Sequence, residues 1–432
     1  MEIEESNWVP TREEFYTNYP SYKYWSSIDN EKLLTPEGIN IYIHIPFCIQ
    51  ICDYCFYMKE LVKSKDQVDI YVDALCQEIK LISEKFGLQK RKVNSIYIGG
   101  GTPSILTEAQ FKKLMGALHK HHDMDNDMEF AFEAEPGTFT KTKLQWYKEG
   151  GVNRISMGVQ SFNDDIIKLS GRKHTSKQAK KSIETVKEVG GFELNIDLLS
   201  GLAGEKMTTW KESVDIALNQ KIDMLTIYKM KAYANTVFFR DGVYGNQIEL
   251  PDSKQEVEFM RIALDMLQSA GFEMWSTFAF TKNGSESRYI ENTWRNHDMI
   301  AYGASSFGKI GNINYQNINN IKLYETKIEN GTMPIYRTFS LSVKDEIVKE
   351  LLLCSVRLAS YKKKEFEKKF GFDYFNLIPK TILNLQREGY ITGNIEELEL
   401  TQKGIIFSDF VSRSIANSVK QTFSQDKIKF EY

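Results

Sequence analysis

Apolar and polar residues alternate along Ile39–Ile45, the period-2 signature of a strand, and the 3.6-residue recurrence of an amphipathic helix follows from Tyr71 to Phe86. The same exchange continues down the first half of the chain. Strands are predicted at Ile96–Ile98, Phe130–Ala134, Ile155–Val159, Leu194–Leu199 and Met224–Tyr228. Helices are predicted after Thr107 and Thr140, over Ser176–Val189 and over Thr208–Asn219. Strand and helix in alternation, some six times over, spell parallel βαβ units. The landmarks Glu133, Gln160, Asp197 and Thr226 are 27, 37 and 29 residues apart, and one such unit needs about 30.

Periodicity alone leaves open whether the sheet is doubly wound or curled into a full or partial barrel. Either way, chemistry belongs at the carboxyl ends of the strands, where the loops open into one crevice. Those ends are polar or glycine-rich here: Gly99-Gly100-Gly101-Thr102, Glu133, Gln160 and Asp197. From about Thr338 the pattern changes. Helices are predicted over Lys344–Leu358, Lys363–Phe370 and Asn376–Glu388, a two-stranded wing over Gly389–Leu400, and a last helix opening at Thr401. This resembles a small winged-helix unit, read as a capping domain because few basic residues mark it as a DNA reader. The expected organisation is an extension (1–38), a core (39–235), a linking region that completes it (236–337) and a carboxyl-terminal domain (338–432).

Composition narrows the class. The 432 residues suit two or three domains, or one large barrel with an appendage. Lys and Arg number 55 against 58 Asp and Glu, a net charge of −3, which argues against a nucleic-acid partner. The 42% apolar content is enough for a large core. No apolar run reaches the roughly 18–20 residues of a membrane span. Met1–Pro10 is acidic and lacks the layout of a secretory signal, so a cytoplasmic location is expected.

Three of the five cysteines, Cys48, Cys52 and Cys55, fall directly after the first strand. A tight odd set is a poor disulfide framework and a good metal site. Cys76 and Cys354 lie in apolar patterns and are expected to be buried small hydrophobes. Three thiolates on one loop suit a 4Fe–4S cluster with one iron left without a protein ligand. Zinc is the alternative, with His44 as its fourth ligand, although His44 sits inside the alternating strand.

The spacing Cys48-x-x-x-Cys52-x-x-Cys55 after a first strand, with Gly99-Gly100-Gly101-Thr102-Pro103 one unit later, resembles the radical S-adenosylmethionine (SAM) superfamily. That resemblance implies a partial (β/α)6 barrel within the α/β class. It also implies reductive cleavage of SAM bound at the open iron.

Further segments resemble the oxygen-independent coproporphyrinogen III oxidase family with its methyltransferase and haem-chaperone relatives. They are Tyr42–Cys48, Phe132–Pro136, Arg154–Phe162, Gly171–His174, Asn195–Leu202 and Leu400–Gly404. The resemblance implies two SAM molecules. Tyr42, Gly100, Glu133 and Phe307 would contact the first. Tyr54, Gly101, Thr102, Gln160, Arg172 and Asp197 would contact the second, with Lys231 at a further position acting through its backbone. Tyr42, Tyr54 and Tyr57 are the candidate catalytic tyrosines. Reduced flavodoxin or ferredoxin is the implied electron donor, and a tetrapyrrole or another unsaturated acceptor the implied substrate.

Two departures shape the expected reaction. Tyr57 stands where the oxidase has a further Cys, and Tyr289 stands where the haem-chaperone segment, ending here at Trp294, has a His. Tyr16–Pro20 resembles the amino-terminal extension of the oxidase. The leading expectation is radical methyl or methylene transfer. Tetrapyrrole oxidation or haem ring opening, and non-catalytic haem carriage, are the alternatives. For haem carriage, His44, His174 and His297 are candidate axial ligands.

Overall fold

Six strands lie parallel and adjacent in the order of the chain in the computed structural model: β1 (Ile39–Ile45), β2 (Val93–Gly100), β3 (Glu129–Ala134), β4 (Arg154–Gln160), β5 (Glu193–Ser200) and β6 (Met224–Lys229). Residues 19–25, 38–125, 127–245, 247–394 and 396–424 are described; Met1–Pro10 and Tyr16–Asn18 lie outside them. The crossover helices are α1 (Lys65–Phe86), α2 (Glu108–His121), α3 (Lys141–Glu149), α4 (Asp164–Leu169), α5 (Ser176–Val189) and α6 (Met207–Leu218). Their starts were written locally. Ser64, Thr107, Thr140 and Thr175 each accept a bond from a first-turn amide, replacing a partner that the helix itself cannot supply.

The alternation along β1 and β2 buries Ile41, Ile43, Ile45, Ile96 and Ile98 completely. Each such side chain contributes about 1.5–3 kcal/mol of transfer free energy. Register brings the strand ends level: Ile45 lies opposite Gly100, Ala134 opposite Met157, and Gly158 opposite Asp197. One cavity is lined from β1 through β6, which requires the sheet to curl. Its edges stay unjoined, as a partial barrel demands.

The sheet continues past both ends of this core. Beyond β6 come β8 (Ala279–Thr281) and β7 (Glu273–Met274), both antiparallel. Beside β1 comes β9 (Met299–Tyr302), parallel to it, then β10 (Phe307–Ile310), β11 (Ile313–Asn317) and β12 (Ile335–Ser340), antiparallel. Helix α7 (Ser253–Ser269) packs on α6, and the short α8 (Arg288–Trp294) packs against β1, β2 and β3. No helix among the described residues is long and apolar enough to cross a membrane.

The carboxyl-terminal unit is mostly helical, with two differences from expectation. The predicted helix over Asn376–Glu388 is broken into Tyr374–Leu377 and Pro379–Arg387. Pro379 has no amide hydrogen and forces Ile378 out of helical geometry. The predicted wing over Gly389–Leu400 does not pair mainly with itself. Glu397–Glu399 pairs with Ser360–Lys362, burying Leu398 opposite Tyr361; only Ile391 bridges back to Leu400. Cys354 is buried as expected. Cys76 is only partly buried, its sulfur facing the Lys113 carbonyl at the α1–α2 contact.

A buried carboxylate joins distant parts of the core. Glu78 of α1 accepts from Tyr324 Oη at 2.6 Å, Asn317 Nδ2 at 2.6 Å and the Gly303 amide at 2.7 Å. It thereby clasps α1, β11 and the turn between β9 and β10. Glu78→Ala leaves these donors unpaired in a dry interior. It should cost about 3–5 kcal/mol, against a smaller loss for Glu78→Gln, as read from urea unfolding.

Candidate functional site

A cavity of about 460 Å³ opens at the carboxyl ends of β1–β6. Of the residues singled out in the sequence, Tyr42, Cys48, Cys52, Tyr54, Cys55, Tyr57, Gly100, Gly101, Thr102, Glu133, Gln160, Arg172, Asp197 and Lys231 all line it. Phe307 does not. It opens β10 and is covered by Tyr22, whose ring stacks on it at 4.9 Å, and Arg337 lies over the other ring neighbours Tyr22 and Trp25.

The three cysteines sit on the loop after β1, braced where Phe47–Cys48 pairs with Glu60–Leu61. Among the described residues, no three His, Cys, Asp or Glu side chains converge on a single-ion site. Zinc needs all its ligands at about 2.0–2.3 Å from one centre, whereas a cubane takes its thiolates at separate corners. His44 is also committed elsewhere. Its Nδ1 meets Tyr42 Oη at 2.9 Å and its Nε2 the Met58 carbonyl at 3.2 Å. Burial lowers its pKa to about 4. Cys48 is pressed against Gly101, and burial pushes its thiol up to about 12, so coordination rather than free ionisation would hold it as a thiolate. Arg172 Nη1 approaches Cys52 Sγ at 3.6 Å, the kind of donor that tunes cluster sulfur. The donor set therefore fits a 4Fe–4S cluster.

The glycine run is a mould rather than a flexible turn. A Cβ on Gly99 would meet the Glu133 carboxyl at 2.8 Å, one on Gly100 the His44 ring at 2.7 Å, and one on Gly101 Cys48 Sγ at 2.8 Å. Gly100 has φ = 119°, which side chains avoid. Its amide donates to Glu133 Oε2 at 2.9 Å, and Tyr97 Oη donates to Oε1 at 2.7 Å. Burial nevertheless raises the Glu133 carboxyl to about 7. Asp197 accepts from Asn195 Nδ2 at 2.7 Å, and burial raises it to about 6. Gln160 holds a left-handed φ of 68° at a register shift in β4, strain of the kind that collects at working sites.

Arg172 donates to Tyr54 Oη at 3.0 Å, the Gly158 carbonyl at 2.7 Å, Glu135 Oε1 at 3.2 Å and His174 Nδ1 at 3.4 Å. Its carboxylate partner is thus Glu135 and not Asp197. Glu135 also accepts from Thr102 Oγ1 at 3.2 Å. Sequence reading passed over Glu135, although strand alternation puts it on the same face as Glu133. It also passed over the floor of the cavity. Tyr97 stacks on Tyr289 at 4.6 Å and on Tyr42 at 6.2 Å, and Tyr228 joins the lining at the end of β6. Neither His174 nor His297 lines the cavity. His174 lies behind Arg172, and His297 bonds Asn292 at the far end of the barrel.

Comparison with known proteins adds the family context. The Radical SAM superfamily model matches residues 42–217. The heme chaperone HemW of Bacillus subtilis is 33% identical over 371 residues, covering 86% of this chain and 97% of the relative. The oxygen-independent coproporphyrinogen III oxidase of Pseudomonas aeruginosa is 25% identical, covering 85% and 83%. The solved structure of coproporphyrinogen III oxidase HemN from Escherichia coli superposes with a TM-score of 0.80 at 23% identity, covering 95% of this chain and 99% of that one, which speaks to the fold.

Arg172→Gln should strand the Glu135 carboxylate and destabilise the protein by about 3–5 kcal/mol. Hydrogen exchange should then quicken at Cys52–Tyr54, because the same guanidinium holds that loop. Unchanged exchange there would separate the ion pair from loop ordering.

Proposed function

The chain belongs to the radical SAM superfamily in its HemN and HemW branch, and on that premise we propose that it is a haem-handling protein of the HemW kind. It holds a 4Fe–4S cluster on Cys48, Cys52 and Cys55, binds SAM beside it, and keeps haem at the cavity mouth in the cytoplasm. Similarity along nearly the whole length of HemW chaperones is the observation that carries this reading. Tyr57, where the oxidase would have another thiol, agrees with it. Methyl transfer gains no support from these relatives.

When bound, the cluster and SAM supply one-electron reductive chemistry, with flavodoxin or ferredoxin as the proposed donor. The chain's own residues bind and orient. Tyr42, Gly100 and Glu133 frame the first SAM position, where a carboxylate can take the ligand's ammonium. Gly101, Thr102, Gln160, Asp197, Tyr54 and Lys231 frame a second. Arg172 already spends its donors on four protein partners, so a second SAM carboxylate there would have to share or displace one. A second reading, anaerobic tetrapyrrole oxidation or ring opening, draws on the retained Glu133 and Asp197 carboxylates.

Anaerobic titration of the reconstituted protein with haem should give a saturable Soret shift. A flat titration would overturn the chaperone reading. Deoxyadenosine formed together with altered coproporphyrinogen or haem would favour the enzymatic one. Cys48→Ala, Cys52→Ala or Cys55→Ala should abolish the cluster absorbance and any SAM cleavage.

The raised Glu133 gives a pH test with a defined sign. A cationic ligand binds the carboxylate and not the acid, so affinity should fall as pH drops through about 7. Between pH 7.5 and 6 the loss should approach about tenfold. Glu133→Gln should bind SAM more weakly and without that dependence, as calorimetry can read.

A further inference from the structure

One stretch of the cavity wall carries both aromatic rings and lysines, and bears on where a tetrapyrrole docks. Elsewhere the wall carries Glu133, Asp197 and the buried Arg172 among tyrosines. The aromatic and basic stretch is built from two loops. One is the end of the cysteine loop, with Phe56, Tyr57 and Lys59; the other is the segment that leaves β6, with Lys231 and Tyr233.

The two loops are joined by aromatic contact. Phe56 lies 4.2 Å from Tyr57 and 4.0 Å from Tyr233, ring centroid to centroid, with interplanar angles of 29° and 34°. Asn235 Nδ2 donates to the Phe56 carbonyl at 3.3 Å, locking the second loop to the first. Tyr57 ends this stack with 60% of its surface exposed. The cations flank the stack. Lys231 Nζ sits 5.7 Å from the Tyr233 centroid, and Lys59 Nζ is held by the Cys55 carbonyl. The one carboxylate that bears on Tyr233, Asp409, is bonded to Arg357.

Resting on the haem reading above, we propose that Tyr57, backed by Phe56 and Tyr233, forms the platform for the porphyrin face and that Lys59 and Lys231 receive the ring's carboxylates. A flat apolar ring needs an open aromatic face, and paired propionates on one edge need cations on one side of that face. The aromatic step and the lysines meet both demands on one stretch of wall.

The test compares haem with haem dimethyl ester, whose ring is the same but whose carboxylates are masked, on the anaerobic cluster-loaded protein. The ester should bind about tenfold to a hundredfold more weakly than haem, the range of one or two charge-assisted bonds. Lys231→Gln and Lys59→Gln should weaken haem while leaving the ester unchanged, and Tyr57→Ala should weaken both. Cluster absorbance and circular dichroism establish that each variant is folded, and the wild-type comparison needs no variant. Haem and ester binding equally to wild type would overturn the docking proposal and leave haem handling intact. Failure of wild type to bind haem would overturn both.

Discussion

A single buried guanidinium ties the site together. Arg172 reaches from the segment between α4 and α5 to the cysteine loop at Tyr54, to the backbone of β4 at Gly158, and to Glu135 just beyond β3. Taking an Arg out of water costs several kcal/mol, and only a full set of well-placed acceptors returns it. Here that set comes from separate strands and loops, so satisfying the cation also fixes the distances between them. The position of the three sulfurs relative to the strand ends is an electrostatic consequence before it is a matter of packing.

The acidic groups at the site respond to the same enclosure. Glu133 and Asp197 are raised by burial although each accepts hydrogen bonds, so their protein partners compensate desolvation only in part. A positively charged guest would complete that compensation. Arg172 keeps its charge inside through its own acceptors, whereas Lys59 and Lys231 stand on loops, where long side chains can keep their charge near water.

Much of this was legible along the chain because it is local. Strand periodicity, helix caps and the polar residue closing each strand are properties of short windows, and the parallel core and the strand-end lining residues Glu133, Gln160 and Asp197 follow from them; Tyr42, Tyr54, Arg172 and Lys231 came from family motifs. The missing parts depend on distant pairing. Nothing near Met299–Tyr302 says that it lies beside β1 and parallel to it. Nothing near Tyr289 says that α8 turns it toward Tyr97. The motif puts Phe307 at the ligand, whereas the stacking of Tyr22 upon it needs a partner 285 positions away in sequence. Glu135 was within reach, since Phe132–Pro136 offers two carboxylates at strand spacing. The split at Pro379 was also readable, from a rule of backbone geometry that helical periodicity obscured.

The three consecutive glycines at the end of β2 press against three different chemical groups: a carboxyl at Gly99, an imidazole at Gly100 and a thiol at Gly101. One added methyl would therefore produce an unlike injury at each neighbouring codon. The first would disturb the acid, the second the strand beneath it, and the third the seat of a cluster sulfur. An allelic series across this tripeptide would dissect the site one functional group at a time.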